Sequence, residues 1–172
     1  GRGAGSWGLA GERGRWVGGA GGVSRGRGLD GSGDGNGARF LAAQRVAAVA
    51  AVVLFSGRKV GYKGVIQRLD AAGAVWRHHP GTRFVFIGVP GFYSTFFDDF
   101  SRYHDERIIH LENAAAAEKA DALQACSLFA MPSLHETFGL GYLEAWLHGK
   151  PVIGGDIPAI RERQKRGEAD GR

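Results

Sequence analysis

Apolar residues follow two patterns along this chain, short continuous runs and longer stripes of helical period. Five short runs predict buried strands, because both faces of such a strand are covered; they span residues 51–57, 83–88, 107–112, 127–133 and 151–155. Apolar or alanine-rich stripes with a spacing of three to four predict helices; they span residues 63–79, 92–103, 114–126, 140–148 and 157–166.

The alternation of strands and helices predicts an α/β protein. Short connections between unlike elements are typical of a Rossmann-like open parallel sheet with helices on both faces. We predict one such domain over residues 41–162. In these sheets the ligand binds beyond the carboxyl ends of the strands, which we expect at Ser56-Gly57, Gly88, Ser133 and Gly154-Gly155.

The two ends of the chain differ in composition from this central part. Sixteen of the 30 glycines lie in residues 1–37, and the apolar residues there have no period. We therefore predict that residues 1–40 are Gly/Arg-rich and disordered, and that residues 163–172 form a polar tail.

The net charge of +5 also belongs to the ends. Residues 1–40 carry +3 and residues 161–172 carry +2, whereas residues 41–160 balance to zero. Because the folding segment is neutral, we expect no nucleic acid as a partner. A nucleic-acid-binding protein with Gly/Arg tails stays an alternative of another class.

The single cysteine and the apolar run lengths bear on the location of the protein. Cys126 excludes a disulfide framework and is compatible with a reducing compartment. The longest apolar run, residues 46–55, has ten residues, and a membrane-spanning helix needs about twenty. We therefore expect a cytoplasmic protein. Cys126 lies where a predicted helix passes into a strand, so we expect a small buried thiol there.

A glycine-rich segment with two cations follows the first predicted strand. Residues 57–64 read GRKVGYKG, so Arg58 and Lys63 lie close to Gly57 at the sheet edge. An arginine can bind two oxygens of a diphosphate while a lysine adds a point charge. The segment lacks the spacing of a nucleotide-hydrolase phosphate loop.

A second candidate segment runs from Met131 to Gly155. Glu136 precedes a helix that opens at Gly139, and Glu144 lies within that helix. The N–H groups at a helix N-terminus favour an anionic ligand, and carboxylates beside them suit a ligand that also carries hydroxyls. The sequence contains no cluster with metal-ligand spacing and no nucleophile elbow.

Together, these two segments resemble the carboxyl-terminal, donor-binding half of group 1 retaining glycosyltransferases of the GT-B architecture. The resemblance covers roughly residues 51–162. It implies that Arg58 and Lys63 hold the donor diphosphate and that Glu136 contacts the transferred sugar. It also implies that Gly57 and the backbone of Thr137, Phe138, Gly139 and Leu140 approach the donor and that Glu144 binds the ribose hydroxyls.

The resemblance further implies a nucleotide-sugar donor and transfer with retention, with no metal and no cofactor. Members of the family carry a second Rossmann-like domain before this one, which supplies the acceptor site. We therefore expect a fragment from a truncated or mis-predicted reading frame, inactive alone, with an unknown acceptor. Peripheral membrane association is expected only through that other domain. A GT-B epimerase or phosphorylase stays an alternative.

The enzyme interpretation makes one spatial prediction. The side chains of Arg58, Lys63, Glu136 and Glu144, far apart in the sequence, should converge around one pocket at the rim of the sheet.

Overall fold

The computed structural model describes residues 17–19, 36–91 and 103–158. The elements there are β1 (Val17–Gly19), α1 (Gly37–Ala43), β2 (Val52–Ser56), a 3-10 helix (Gly61–Lys63), α2 (Val65–His78), β3 (Arg83–Ile87), β4 (Ile108–Leu111), α3 (Ala116–Ala125), β5 (Leu128–Met131), α4 (Leu140–Leu147) and β6 (Val152–Gly154). The five predicted strands and three of the predicted helices are confirmed. The helices predicted at 92–103 and 157–166 fall almost entirely outside the described residues.

The strands form one sheet in the order β1-β6-β5-β2-β3-β4. The five strands β2 to β6 are parallel, as predicted, and β1 adds an antiparallel edge strand beside β6. Successive strands proceed outward from β2 to β3 and β4, then return to β5 on the other side of β2. The strand order therefore reverses between β2 and β5, the point at which sheets of this kind bind ligands.

Helices cover both faces of the sheet, as the alternation of side chains along the strands requires. On one face, Arg68 of α2 lies over the rings of Phe55 and Phe86, 4.5 Å from the centroid of Phe86. Phe129 is paired with Leu54, the neighbour of Phe55, so its ring points to the opposite face. There it packs edge-on against Tyr142 of α4.

Helix α1 extends the folded domain beyond the predicted boundary at residue 40. It runs from Gly37 to Ala43, and the Phe40 side chain is buried in the hydrophobic core. Asp121 of α3 accepts hydrogen bonds from the Asn36 N–H at 2.5 Å and from the Arg39 guanidinium at 2.6 Å. Long-range contacts therefore order a segment whose composition favours disorder. Most of residues 1–40, and the tail at 163–172, lie outside the described residues.

Two glycines let neighbouring loops at the carboxyl edge of the sheet touch through their backbones. Gly64 has φ +72°, and a Cβ added to it would lie 2.5 Å from the carbonyl oxygen of Pro132. Gly88 has φ +129°, and a Cβ added to it would collide with the carbonyl oxygen of Gly57. Both the backbone conformation and the space exclude a side chain at these positions.

A membrane-spanning helix is not found in the described ranges, where every helix is too short or too polar to cross a bilayer. Cys126 is a buried free thiol, as predicted. Burial raises its pKa to about 11.

Candidate functional site

A cleft of about 580 Å³ opens at the point where the strand order reverses. The ends of β2 and β5 contribute Ser56, Gly57 and Met131 to its floor, and Lys119 of α3 reaches it from the side. The other lining residues are Tyr62, Lys63, Glu144 and the stretch 135–141. The cleft therefore lies beyond the carboxyl ends of the strands, where the sequence predicted a ligand site.

Lys63 and Glu136 form an ion pair within this cleft. The Lys63 ammonium lies 2.5 Å from Glu136 Oε1, and the Ser133 hydroxyl donates to the same oxygen at 2.7 Å. The Lys63 side chain is 15% exposed and the Glu136 side chain 6%. Because the carboxylate is bound by two donors and shielded from water, its orientation is fixed, and the ammonium is held at the cleft wall.

The loop before α4 presents its backbone to the cleft. Residues 137–141 line the cleft, and Gly139, in the left-handed conformation, is the N-cap residue of α4. Gly139 has no side chain to accept a hydrogen bond from the first N–H groups of the helix. The positive end of the helix dipole therefore faces the cleft without a side-chain cap, an arrangement that favours an anion.

Glu144 pairs with a lysine that the sequence analysis did not select. The Lys119 ammonium lies 2.7 Å from Oε1 of Glu144 and 2.6 Å from Oε2. Both side chains are about one-third exposed and both line the cleft. The carboxylate predicted to bind ribose hydroxyls is thus held by an ammonium from α3.

Arg58 does not join the other three predicted side chains. It is exposed and does not line the cleft. The chain after β2 stays extended, since Lys59 pairs as a β-bridge with Pro90, and alternate side chains of extended backbone point to opposite sides. Lys59 points inward, where its ammonium contacts His110 Nε2 and is fully buried. The prediction that Arg58 converges on the cleft is therefore wrong for this structure, and its role in binding stays a prediction.

Tyr142 supports the floor of the site from within the core. Its ring is fully buried, and its hydroxyl donates to the carbonyl oxygen of Met131, the last residue of β5. Burial is the main reason that the pKa of Tyr142 is raised. This bond fastens α4 to the strand end that forms the cleft floor.

The structure thus brings Gly57, Lys63, Glu136, the stretch 137–140 and Glu144 together in one cleft, with Lys119 and Ser133 as additional polar groups. The sequence could have identified Ser133 as a site residue, because it ends a predicted strand at the ligand-binding edge. It could not have identified Lys119, because the partner of Lys119, Glu144, is 25 positions away on another helix. In residues 36–91 and 103–158, no group of three or more His, Cys, Asp or Glu could hold a metal ion.

Comparison with known families gives one match that covers most of the chain. Residues 50–171 match the family described as glycosyl transferases group 1. Comparison with curated protein sequences found no relative.

Several solved structures share the fold. Alr3699/HepE of Anabaena, solved in complex with UDP and glucose, has a TM-score of 0.61 at 24% identity, over 73% of this chain and 35% of that one. The C-terminal domain of LpcC, a group 1 family protein of Francisella tularensis, has a TM-score of 0.59 at 22% identity, over 69% of this chain and 64% of that one. The chain therefore spans about a third of the length of Alr3699/HepE.

Proposed function

Because the chain belongs to the group 1 glycosyl transferases, we propose that its cleft binds the nucleoside-diphosphate sugar that donates the sugar in a glycosyl transfer. The observation that carries this proposal is the meeting of Lys63, Glu136, Glu144 and the N-terminus of α4 in one cleft. Alr3699/HepE was solved in three complexes, one with UDP and glucose, one with UDP-glucose and one with UDP. UDP and UDP-glucose are therefore the first ligands to test.

The charges of the cleft suit each part of such a donor. The diphosphate would lie between Lys63 and the N–H groups at the start of α4, since both favour negative charge. Glu144 would accept hydrogen bonds from the ribose diol, and Glu136 would contact the sugar. The leaving nucleoside diphosphate gains negative charge in the transition state, which the same cation and helix end would stabilise.

We extend the proposal to the course of the reaction. Transfer is proposed to retain the anomeric configuration and to need no metal or cofactor, which the anomeric product and added EDTA would test. The acceptor is open, and by itself the chain is proposed to bind donor without transferring sugar. A cytoplasmic location and membrane association through another domain stay predictions.

A thermal-shift panel with the full chain tests donor binding. UDP, GDP, ADP and their sugars are each added in excess, and a ligand that binds only the folded state raises the melting temperature. At about a hundred times Kd the stabilisation is about 2.7 kcal/mol. We expect one nucleoside diphosphate and its sugar to give this shift. The proposal fails if none of these ligands shifts the melting temperature.

A further inference from the structure

Lys119 is placed to control the carboxylate of Glu144 from a separate helix. It lies in the first turn of α3, and its ammonium contacts both carboxylate oxygens, at 2.7 and 2.6 Å. Glu144 Oε2 is shielded from solvent, although the side chain as a whole is 36% exposed. The carboxylate is therefore not free to rotate, since one of its oxygens is turned inward against the ammonium.

The helix that carries Lys119 is itself anchored. Two residues further along α3, the buried Asp121 accepts from the Asn36 N–H and from the Arg39 guanidinium. This contact fixes the N-terminal half of α3 against α1. A lysine that extends from an anchored turn loses less conformational entropy when its ammonium binds than one on a mobile surface.

The pairing leaves Glu144 with capacity for a ligand. A carboxylate offers about four acceptor positions and an ammonium three N–H donors. Lys119 donates to Oε1, which keeps a second acceptor position, and both side chains line the cleft. Glu144 can therefore accept hydroxyl hydrogens from the cleft while Lys119 keeps it in a single orientation.

We propose that Lys119 is a positioning residue for the nucleoside half of the donor, acting through Glu144; this rests on the proposed function. The diphosphate half of the donor lies at the other cation, Lys63, which Glu136 and not Glu144 holds. The two halves of the ligand are thus served by two separate lysine–glutamate pairs. Loss of Lys119 should weaken recognition of the ribose and leave recognition of the phosphates intact.

A double-mutant cycle in the full chain tests this role. The variants are Lys119→Met, Lys119→Arg, Glu144→Gln and the double variant Lys119→Met/Glu144→Gln, and the probes are UDP and inorganic pyrophosphate, titrated by calorimetry. We expect Lys119→Met to weaken UDP binding about tenfold, the scale of one charged hydrogen bond, with pyrophosphate affinity unchanged. The double variant should bind UDP no more weakly than Glu144→Gln alone, because Lys119 acts through Glu144. Lys119→Arg should recover part of the loss.

Lys150→Met provides a matched control. Lys150 donates to the carbonyl oxygen of Gln124 at 2.8 Å, so it also joins α3 to the segment after α4, but it does not line the cleft. Its loss should leave both affinities unchanged. If Lys119→Met changes only the stability of the protein and UDP affinity stays at the wild-type value, the proposed positioning role is wrong.

Two further outcomes separate this inference from the proposed function. If UDP binds and the losses of Lys119→Met and Glu144→Gln add, Lys119 acts independently of Glu144 and the inference is wrong while the proposed function stands. If the wild-type chain binds neither UDP, GDP nor ADP, the proposed function fails and the positioning role fails with it.

Discussion

The buried ammonium of Lys59 makes the stability of this protein depend on pH. Its side chain is fully buried against His110 and the carbonyl oxygen of Leu111. Burial lowers the pKa of Lys59 from 10.5 to about 8, an effect that the charge of Glu112 partly opposes. The unfolded chain therefore binds a proton more tightly at this position than the folded chain does.

We predict that the ionisation of Lys59 makes the free energy of unfolding increase as pH rises. Between pH 8 and 10.5 the unfolded state holds the Lys59 proton and the folded state does not, so the free energy of unfolding increases, by up to about 3 kcal/mol. The variant Lys59→Met lacks this ionisation and should be the more stable protein at pH 7. Urea unfolding of both proteins at pH 7 to 10.5 measures the difference, which should shrink across this range; a constant difference would contradict the prediction.

Lys63 and Arg58 differ in position, and we predict that they differ in their effect on phosphate binding. Lys63 lines the cleft, whereas Arg58 is exposed outside it. Lys63→Met should weaken binding of UDP by roughly 1–3 kcal/mol, the range for a hydrogen bond to a charged group, and leave uridine binding nearly unchanged. Arg58→Met should cost less than Lys63→Met. Titration calorimetry with UDP and uridine measures both, and a larger loss in Arg58→Met would mean that Arg58 turns to the ligand when the donor binds.

The pattern of apolar and polar residues explains for which side chains burial could be predicted from the sequence. Cys126 was predicted to be buried because it lies between a helix and a strand, and it is. The burial of Arg68 was not predicted, although it lies with Val65, Leu69 and Ala72 on the buried face of α2. The helical spacing of these residues indicated the buried face, but a charged side chain is expected at the surface. Leu147 continues the apolar pattern of α4 but is 76% exposed, because Tyr142 and Ala145 form the buried face of that helix.

Helix α1 is the element whose presence depends most on tertiary contacts. It has seven residues, and isolated helices of that length are marginal in water. Its stability must come from packing on α3, where Phe40 is buried and the cap residue Asn36 bonds to Asp121. A local pattern could not reveal this helix, because the residues that stabilise it lie about 80 positions away.

We predict that Phe40→Ala destabilises the whole domain. Removing a buried phenylalanine side chain typically costs about 3–5 kcal/mol, and Phe40 is 2% exposed. Chemical denaturation of the full chain measures the loss. Val49→Ala is the matched control, because Val49 is 96% exposed and its truncation should change stability by less than about 0.5 kcal/mol. Equal effects of the two substitutions would mean that α1 does not pack on the domain in solution.

The architecture of the molecule could be predicted where it follows from the alternation of strands and helices along the chain. Strand–helix alternation predicted the five parallel strands and the edge at which the cleft opens, because the right-handed crossover limits the possible topologies. The edge strand β1 was not predictable, since its three residues lie in a glycine-rich segment with no apolar period. The sequence predicted that cations and carboxylates line the cleft, but not which cations, because Lys119 lines it and Arg58 does not.

The glycine contacts at the cleft edge restrict how segments of a related protein can be grafted into this chain. The loop after β2 touches the loop after β5 at Gly64 and the loop after β3 at Gly88, with no space for a Cβ at either contact. A transplanted segment that carries a side chain at one of these points would collide with the backbone of its unexchanged neighbour. A Cβ at Gly155 would likewise collide with the carbonyl oxygen of Ser133. Chimaeras should therefore replace residues 57–64, 88–91, 132–139 and 155 as one cassette.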